Sequence, residues 1–180
     1  MTWIWISLLV IGGLIGLLAG VGALLPKNHR ASAEVTLKKP PQDVWNVVSN
    51  IQEWPAWHAN IVRVERLSDH EGHPVWRLLT KDGDLPSEVL EASEPTAAKP
   101  GRLVTRIADP AVPFSGSWTI EVSGTEAASR VTVTENGEIR NPIFRFFSRF
   151  VFGHTASLVS FLSDLAKKTG DNVKPKVTAE

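Results

Sequence analysis

The first 26 residues, MTWIWISLLVIGGLIGLLAGVGALLP, carry no charged side chain. As a helix rising about 1.5 Å per residue they would reach about 38 Å, more than the ~30 Å hydrocarbon core of a bilayer. The pattern then changes to alternation. Ala33, Val35 and Leu37 alternate with polar residues and predict a first strand. PPQDVWNVVSN opens on prolines, which suit a first helical turn, and sets Val44, Val47 and Val48 on one side. IQEWPAWHAN reads as a short helical turn or loop interrupted by Pro55. Six segments of period two follow, near 61–67, 74–81, 86–94, 101–108, 116–123 and 129–139. Turn-forming residues separate them, among them Asp82-Gly83-Asp84, Pro100-Gly101 and Ser123-Gly124. Close spacing with such turns predicts an antiparallel meander.

The last apolar stretch begins NPIFRFFSRFVFGH and runs to Lys168. Asn141 suits an N-cap and Pro142 the first helical position. At about 100° per residue, Ile143, Phe147, Phe150, His154, Leu158, Phe161 and Leu165 share one face. The spacing predicts one helix of about 26 residues laid against the sheet.

Segmentation follows: a transmembrane helix over 1–26, a polar linker over 27–33, a folded domain over 34–169 and a disordered tail over 170–180. A signal peptide would want a basic residue before the apolar run and a run of roughly 7–15 residues. Neither holds here. Trp3 and Trp5 sit where interfacial aromatics belong. Lys27, Arg30, Lys38 and Lys39 against Glu34 place the soluble domain on the cytoplasmic side of a single-pass membrane protein. Gly12, Gly16 and Gly20 recur every four residues, which suits helix association, as in a homodimer through the span.

Charge and composition narrow the chemistry. Nineteen basic residues balance nineteen acidic ones, so no global field favours nucleic acid, and no nucleic-acid-binding motif occurs. The chain has no cysteine, which excludes disulfides, thiolate metal sites and cysteine nucleophiles. Five histidines lie scattered; His70 and His73 make only a weak metal pair, and no metal or cofactor is expected. No phosphate-binding glycine loop or nucleophile elbow occurs.

Two stretches resemble a known superfamily. AEVTLKKPPQDVWNVVSNIQEWPAWHANIVRVERL leads a strand into P-x-x-V-W and then W-P-x-W, and VTVTENGEIRNPIFRFFSRFVFGH runs a last strand into a helix. Together they resemble the START-like, or SRPBCC, superfamily, which includes polyketide cyclases/dehydrases and lipid-transfer domains. The resemblance implies an α+β helix-grip fold: a curved seven-stranded antiparallel sheet wrapped around a long C-terminal helix, here preceded by one transmembrane helix. It also implies an apolar cavity for a lipid or other hydrophobic small molecule, used for catalysis in a minority of members.

Strand parity, with charged residues outward, supplies the cavity wall. Val62 and Val64 point inward, then Trp76 and Leu78, Leu90 and Ala92, Leu103, Thr105 and Ile107, Trp118, Ile120 and Val122, Val131 and Val133. The ligand set drawn from this wall is Trp76, Leu78, Leu90, Leu103, Thr105, Trp118, Ile120 and Val133. Phe147, Phe150, His154 and Leu158 join it from the helix, and Trp54 and Trp57 from the rim. His154 on the apolar face and Glu135 on the inward parity are the polar exceptions; Asn136-Gly137 suggests a bulge that redirects Glu135. As an acid and base pair they would serve a cyclase/dehydrase-type enzyme. A further alternative is a membrane scaffold whose core is closed. Arg145, Arg149 and Phe152 combine basic and aromatic character suited to contact with an anionic leaflet.

Overall fold

The computed structural model of the chain describes residues 2–179 other than 110, 111 and 113, without the side chains of Thr2 and Phe152. Helix α1 (Thr2–Leu24) leads after three residues into strand β1 (Asn28–Leu37), then helix α2 (Pro41–Ser49) and a 3-10 turn (Ile51–Ala56). Strands β2 (Ile61–Arg66), β3 (Val75–Thr80), β4 (Gly83–Ser93), β5 (Gly101–Ile107), β6 (Phe114–Thr125) and β7 (Ala128–Ile139) form the meander. Helix α3 (Pro142–Phe147), a π turn (Ser148–Phe152), helix α4 (Ala156–Lys168) and strand β8 (Lys176–Ala179) complete the chain. All neighbouring strands pair antiparallel in the order β2-β3-β4-β5-β6-β7-β1-β8. The architecture is the expected α+β helix-grip arrangement, with eight strands in place of seven.

Several boundaries move. The segment expected to be a linker belongs to β1, which pairs with β7 from Asn28 onward. The end of the expected tail adds β8 to the free edge of β1. A four-residue edge strand pairs through backbone groups and needs no apolar signature. The single long helix is divided: Gly153, at φ 72°, takes a left-handed conformation that favours glycine. The π turn before it rotates the phase of the apolar stripe. As a result Phe150, expected to face the core, is 60% exposed.

Two β-bulges change parity between β2 and β5. One between Ile61 and Arg63 buries Ile61 and turns Val62 out. The other, between Val89 and Glu91, gives Val89 the inward place expected for Leu90, which stays outside the core cluster. No such irregularity occurs at Glu135, whose register with Trp118 is continuous, so the expected bulge there is absent.

The core lies between the sheet and the helices. Leu158, Phe161, Leu162, Leu165 and Ala166 of α4 form the i, i+3, i+4 stripe that is buried, each large side chain contributing about 1.5–3 kcal/mol. They meet Ala31, Ala33, Val35 and Leu37 of β1 with Val131 and Val133 of β7. Alanines at the start of that row let α4 approach the sheet. Val44, Trp45 and Val48 of α2 close the same core.

The surface of α1 is exposed over most of its length, and α3 packs on its last turns. A Cβ at Gly22 would lie 1.9 Å from the Pro142 carbonyl oxygen, so only glycine permits this approach. Arg145 is buried there and its Nη1 donates to the Leu25 carbonyl at 2.8 Å. That carbonyl belongs to the open end of α1, where a cation also meets the negative end of the helix dipole. The side chain of Arg145 therefore caps α1 and does not face a leaflet, contrary to the sequence expectation.

Replacing Gly22 by Val should separate α1 from α3 at an overpacking cost of about 1–3 kcal/mol. In detergent, each kcal/mol should lower Tm by about 2–4 °C. Gly13→Val, outside the Gly12, Gly16 and Gly20 stripe and with nothing within 4 Å of its added Cβ, should leave Tm unchanged. Equal Tm values for the two variants would contradict the contact.

Candidate functional site

The inner face of the sheet has two unlike halves. Toward α2 and α4, Leu103, Ile120, Val122 and Val133 are buried to 1% exposure or less. Nearer the ends of β1 and β7 that adjoin α1, Thr105, Ile107 and Trp118 have the same inward parity but stay half-buried, as does Trp76 on β3, level with Ile107 through Ser87. α4 covers this part of the wall only in part: Phe161 reaches Trp118, with ring centroids 5.8 Å apart, and the inward side chains here stay half-buried. The divided helix lies at this end.

Polar groups gather there. Trp118 and Glu135 are directly opposed on β6 and β7, and the indole Nε1 donates to Glu135 Oε2 at 2.8 Å. His29, opposite Gly137 on β1, holds the other carboxylate oxygen at 3.1 Å through Nε2. Its ring lies over Gly137, where a Cβ would come within 2.1 Å of it. Glycine at 137 is thus what admits the histidine. The His154 ring stacks on His29 with centroids 4.0 Å apart and planes 20° apart. His154 Nδ1 in turn meets Ser148 Oγ at 3.0 Å. With Nε2 directed at a carboxylate, a neutral His29 keeps Nδ1 as an acceptor. The cluster therefore presents both donor and acceptor positions beside an apolar wall.

The aromatic rim stands at the sealed half. Phe161 touches Trp54, Trp57, His58 and Trp118 at centroid separations between 5.3 and 5.8 Å. Trp54 is buried and donates to the Val48 carbonyl, so it is a core residue. Trp57 is half-buried, and its Nε1 is enclosed with no acceptor among the described residues. A ligand oxygen would satisfy it. The rim is tied to α4 by Asp164, which accepts from the Ala59 N–H at 3.0 Å and lies 3.1 Å from His58 Nδ1 and 3.2 Å from Lys167 Nζ. Burial alone would raise the Asp164 carboxyl; the Ala59 N–H, His58 and Lys167 outweigh it and hold it below the ordinary 3.8.

The expected ligand residues therefore separate into groups. Leu78, Leu103, Ile120, Val133 and Leu158 are closed core, with Trp54. Trp57, Trp76, Thr105, Trp118, Phe147 and His154 are half-buried. Phe150 is exposed and Leu90 is displaced by its bulge. Glu135 and His154 do come together, but through His29. Sequence reading assigned His29 to a linker, although it continues the Ala31, Ala33, Val35 alternation by one step. Ser148, on the π turn, gave no signal. Among the membrane residues Arg149 is exposed, Arg145 is buried and the Phe152 side chain lies outside the described residues.

The outer face has its own charge cluster. Glu88 is buried at 1% exposure beneath Arg106 and His70, and the Arg106 guanidinium holds its carboxyl below the ordinary range. A shallow groove of about 650 Å³ is lined by Arg30, Arg106, Ser117 and Asn136, and also by His29 and Ile107 of the site. Among the described residues no group of three or more metal-ligating side chains occurs, His70 and His73 included.

Residues 28–169 match the family described as polyketide cyclase / dehydrase and lipid transport, and the chain belongs to that family. Its fold is similar to the Zhui aromatase/cyclase from Streptomyces sp. R1128, at 13% identity and a TM-score of 0.62, over 79% of this chain and 94% of that one. It is also similar to a START superfamily protein from Mycobacterium smegmatis, at 14% identity and a TM-score of 0.59, over 79% and 97% of the two chains. Norcoclaurine synthase from Thalictrum flavum aligns at 10% identity and a TM-score of 0.61, over 79% and 94%. Likeness at such identities concerns the fold. No curated protein matches by sequence.

The depressed Asp164 carboxyl has a signed consequence. Below the ordinary 3.8 the unfolded chain binds a proton that the folded chain still excludes, so stability falls as pH drops through the lowered folded value. Asp164→Asn should cost about 1–3 kcal/mol at neutral pH. It should also flatten the acid limb measured by urea unfolding at about pH 6 and about pH 3. An acid limb as steep as in the parent protein would assign the loss to other carboxylates, Glu88 first.

Proposed function

We propose that the protein is a membrane-anchored START-like carrier that takes a hydrophobic small molecule or lipid against the half-open end of the sheet's inner face. The observation that carries this reading is the division of that face: apolar side chains left half-buried, ending on the His29–Glu135–Trp118–His154 cluster. Covering Trp76, Ile107 and Trp118 with a ligand chain would contribute about 25 cal/mol per Å² removed from water. The cluster would fix the ligand's polar end by hydrogen bonds.

Anchoring rests on α1, whose Trp3–Leu24 segment is long and apolar enough to cross a membrane. The basic residues after it favour a cytoplasmic domain. The stripe of Gly12, Gly16 and Gly20 is uncovered by the rest of the chain and would serve contact with a second copy.

An enzymatic reading draws on one specific observation. Glu135 bonded to His29, itself stacked on His154, is a proton-holding set beside an apolar wall. Under that reading His154→Ala would abolish turnover of a bound ligand while leaving its retention intact. The carrier reading requires retention itself to fall.

The test is native mass spectrometry on the full chain released from detergent, with solvent extraction of what accompanies it. A stoichiometric apolar adduct is expected. Glu135→Gln should weaken its retention by roughly tenfold, as for the loss of one charge-assisted hydrogen bond. A bare mass with no uptake from lipid extracts would contradict the carrier and favour a scaffold whose core Phe161 already fills.

A further inference from the structure

We infer that α3 and the π turn form a second membrane-inserted element, lying in the leaflet that holds the C-terminal end of α1 and keeping the site's polar end at the bilayer surface. The inference rests on the reading of α1 as an anchor. Three observations carry it beyond that reading.

The first is apolar exposure in one short segment. Phe144, Phe150 and Val151 are 51%, 60% and 59% exposed, and the Phe146 ring lies tilted against Phe150 with centroids 5.0 Å apart. Large apolar side chains clustered this way mark a surface meant for another phase.

The second is attachment. The segment is fixed to the last turns of α1 by the Gly22–Pro142 approach and by Arg145 on the Leu25 carbonyl. If Trp3–Leu24 spans the bilayer, those turns stand at its edge, and the exposed phenylalanines stand beside them. Six helical residues and one turn are too short to cross, at about 1.5 Å per residue, so they lie within the interface.

The third is charge placement. The guanidinium of Arg145 is buried in capping α1 and is withheld from lipid, whereas that of Arg149 is exposed where headgroup phosphates would stand. The one buried cation of the segment is turned onto the Leu25 carbonyl and away from the exposed phenylalanines. Ser148 and His154, which flank the turn, are then at headgroup depth, and a ligand would pass between bilayer and site without crossing water.

The absence of cysteine makes the experiment direct. Single cysteines at Phe150 and Val151, at Leu14 in α1 and at Ala127 on the far β6–β7 turn would each carry an environment-sensitive fluorophore. The full chain would be reconstituted in phosphatidylcholine vesicles containing shallow or deep spin-labelled lipid. Loss of emission at Phe150 and Val151 with the shallow quencher, at Leu14 with the deep one, and none at Ala127, is the expected result. Quenching at Leu14 with Phe150 and Val151 as silent as Ala127 would overturn the inference and leave the anchor standing. Silence at Leu14 as well would overturn the anchor and the inference together. No other protein is present in the vesicles, so a protein partner for the patch would appear as the second outcome.

Discussion

The chain leaves α1 and enters the sheet within three residues, and this short connection constrains nearly everything that follows. The Ile139 N–H already donates to the Lys27 carbonyl, so β7 ends where β1 begins, beside the end of α1. The chain emerging from β7 therefore starts its next helix against α1 and not over the core. A single straight helix cannot both pack on the last turns of α1 and lie across β1 and β7. The π turn and Gly153 resolve the conflict, giving α3 to α1 and α4 to the sheet.

The division of the helix explains why the two halves of the inner face differ. α4 brings Leu158, Phe161, Leu162 and Leu165 onto one half and buries it completely. The other half faces the bend, where His154 reaches His29 instead of continuing an apolar stripe. A carboxylate at this position would be costly without partners. Glu135 accepts from an indole across the strand pair and meets a histidine across the next one, so the polar cluster is held by the sheet and not by the mobile ends of long side chains. In this respect the polar groups of the cluster are preorganised.

Much of this was legible in the sequence because the sheet has one buried face and alternation reports it. Leu103, Ile120 and Val133 were assigned to the interior from parity alone, and Asn141 with Pro142 marked the start of α3 correctly. Parity failed at Val62 and Leu90, where a bulge inserts one residue and shifts the side chains beyond it to the other face. The helix break was harder. The sequence of 143–165 satisfies a helical stripe, and only Gly153 argued against continuity; the competing contact at Gly22 lies 120 residues away from Pro142. His29 escaped notice because nearness to the span suggested a linker, although its alternation with Ala31 placed it in the strand. Strand β8 gave no apolar signal because its side chains are all exposed and its pairing is made by the backbone.

The central claim is that an apolar ligand lies against Trp118 and Thr105 with its polar end at Glu135, His29 and His154. The most direct test is photocrosslinking of the full chain in bilayers containing a phospholipid with a diazirine in its acyl chain, followed by peptide mapping. The account expects crosslinks on β5 and β6 around Thr105 and Trp118 and on the 147–158 segment, in addition to α1. Crosslinks confined to α1 and α3, with β5 and β6 unlabelled, would contradict it.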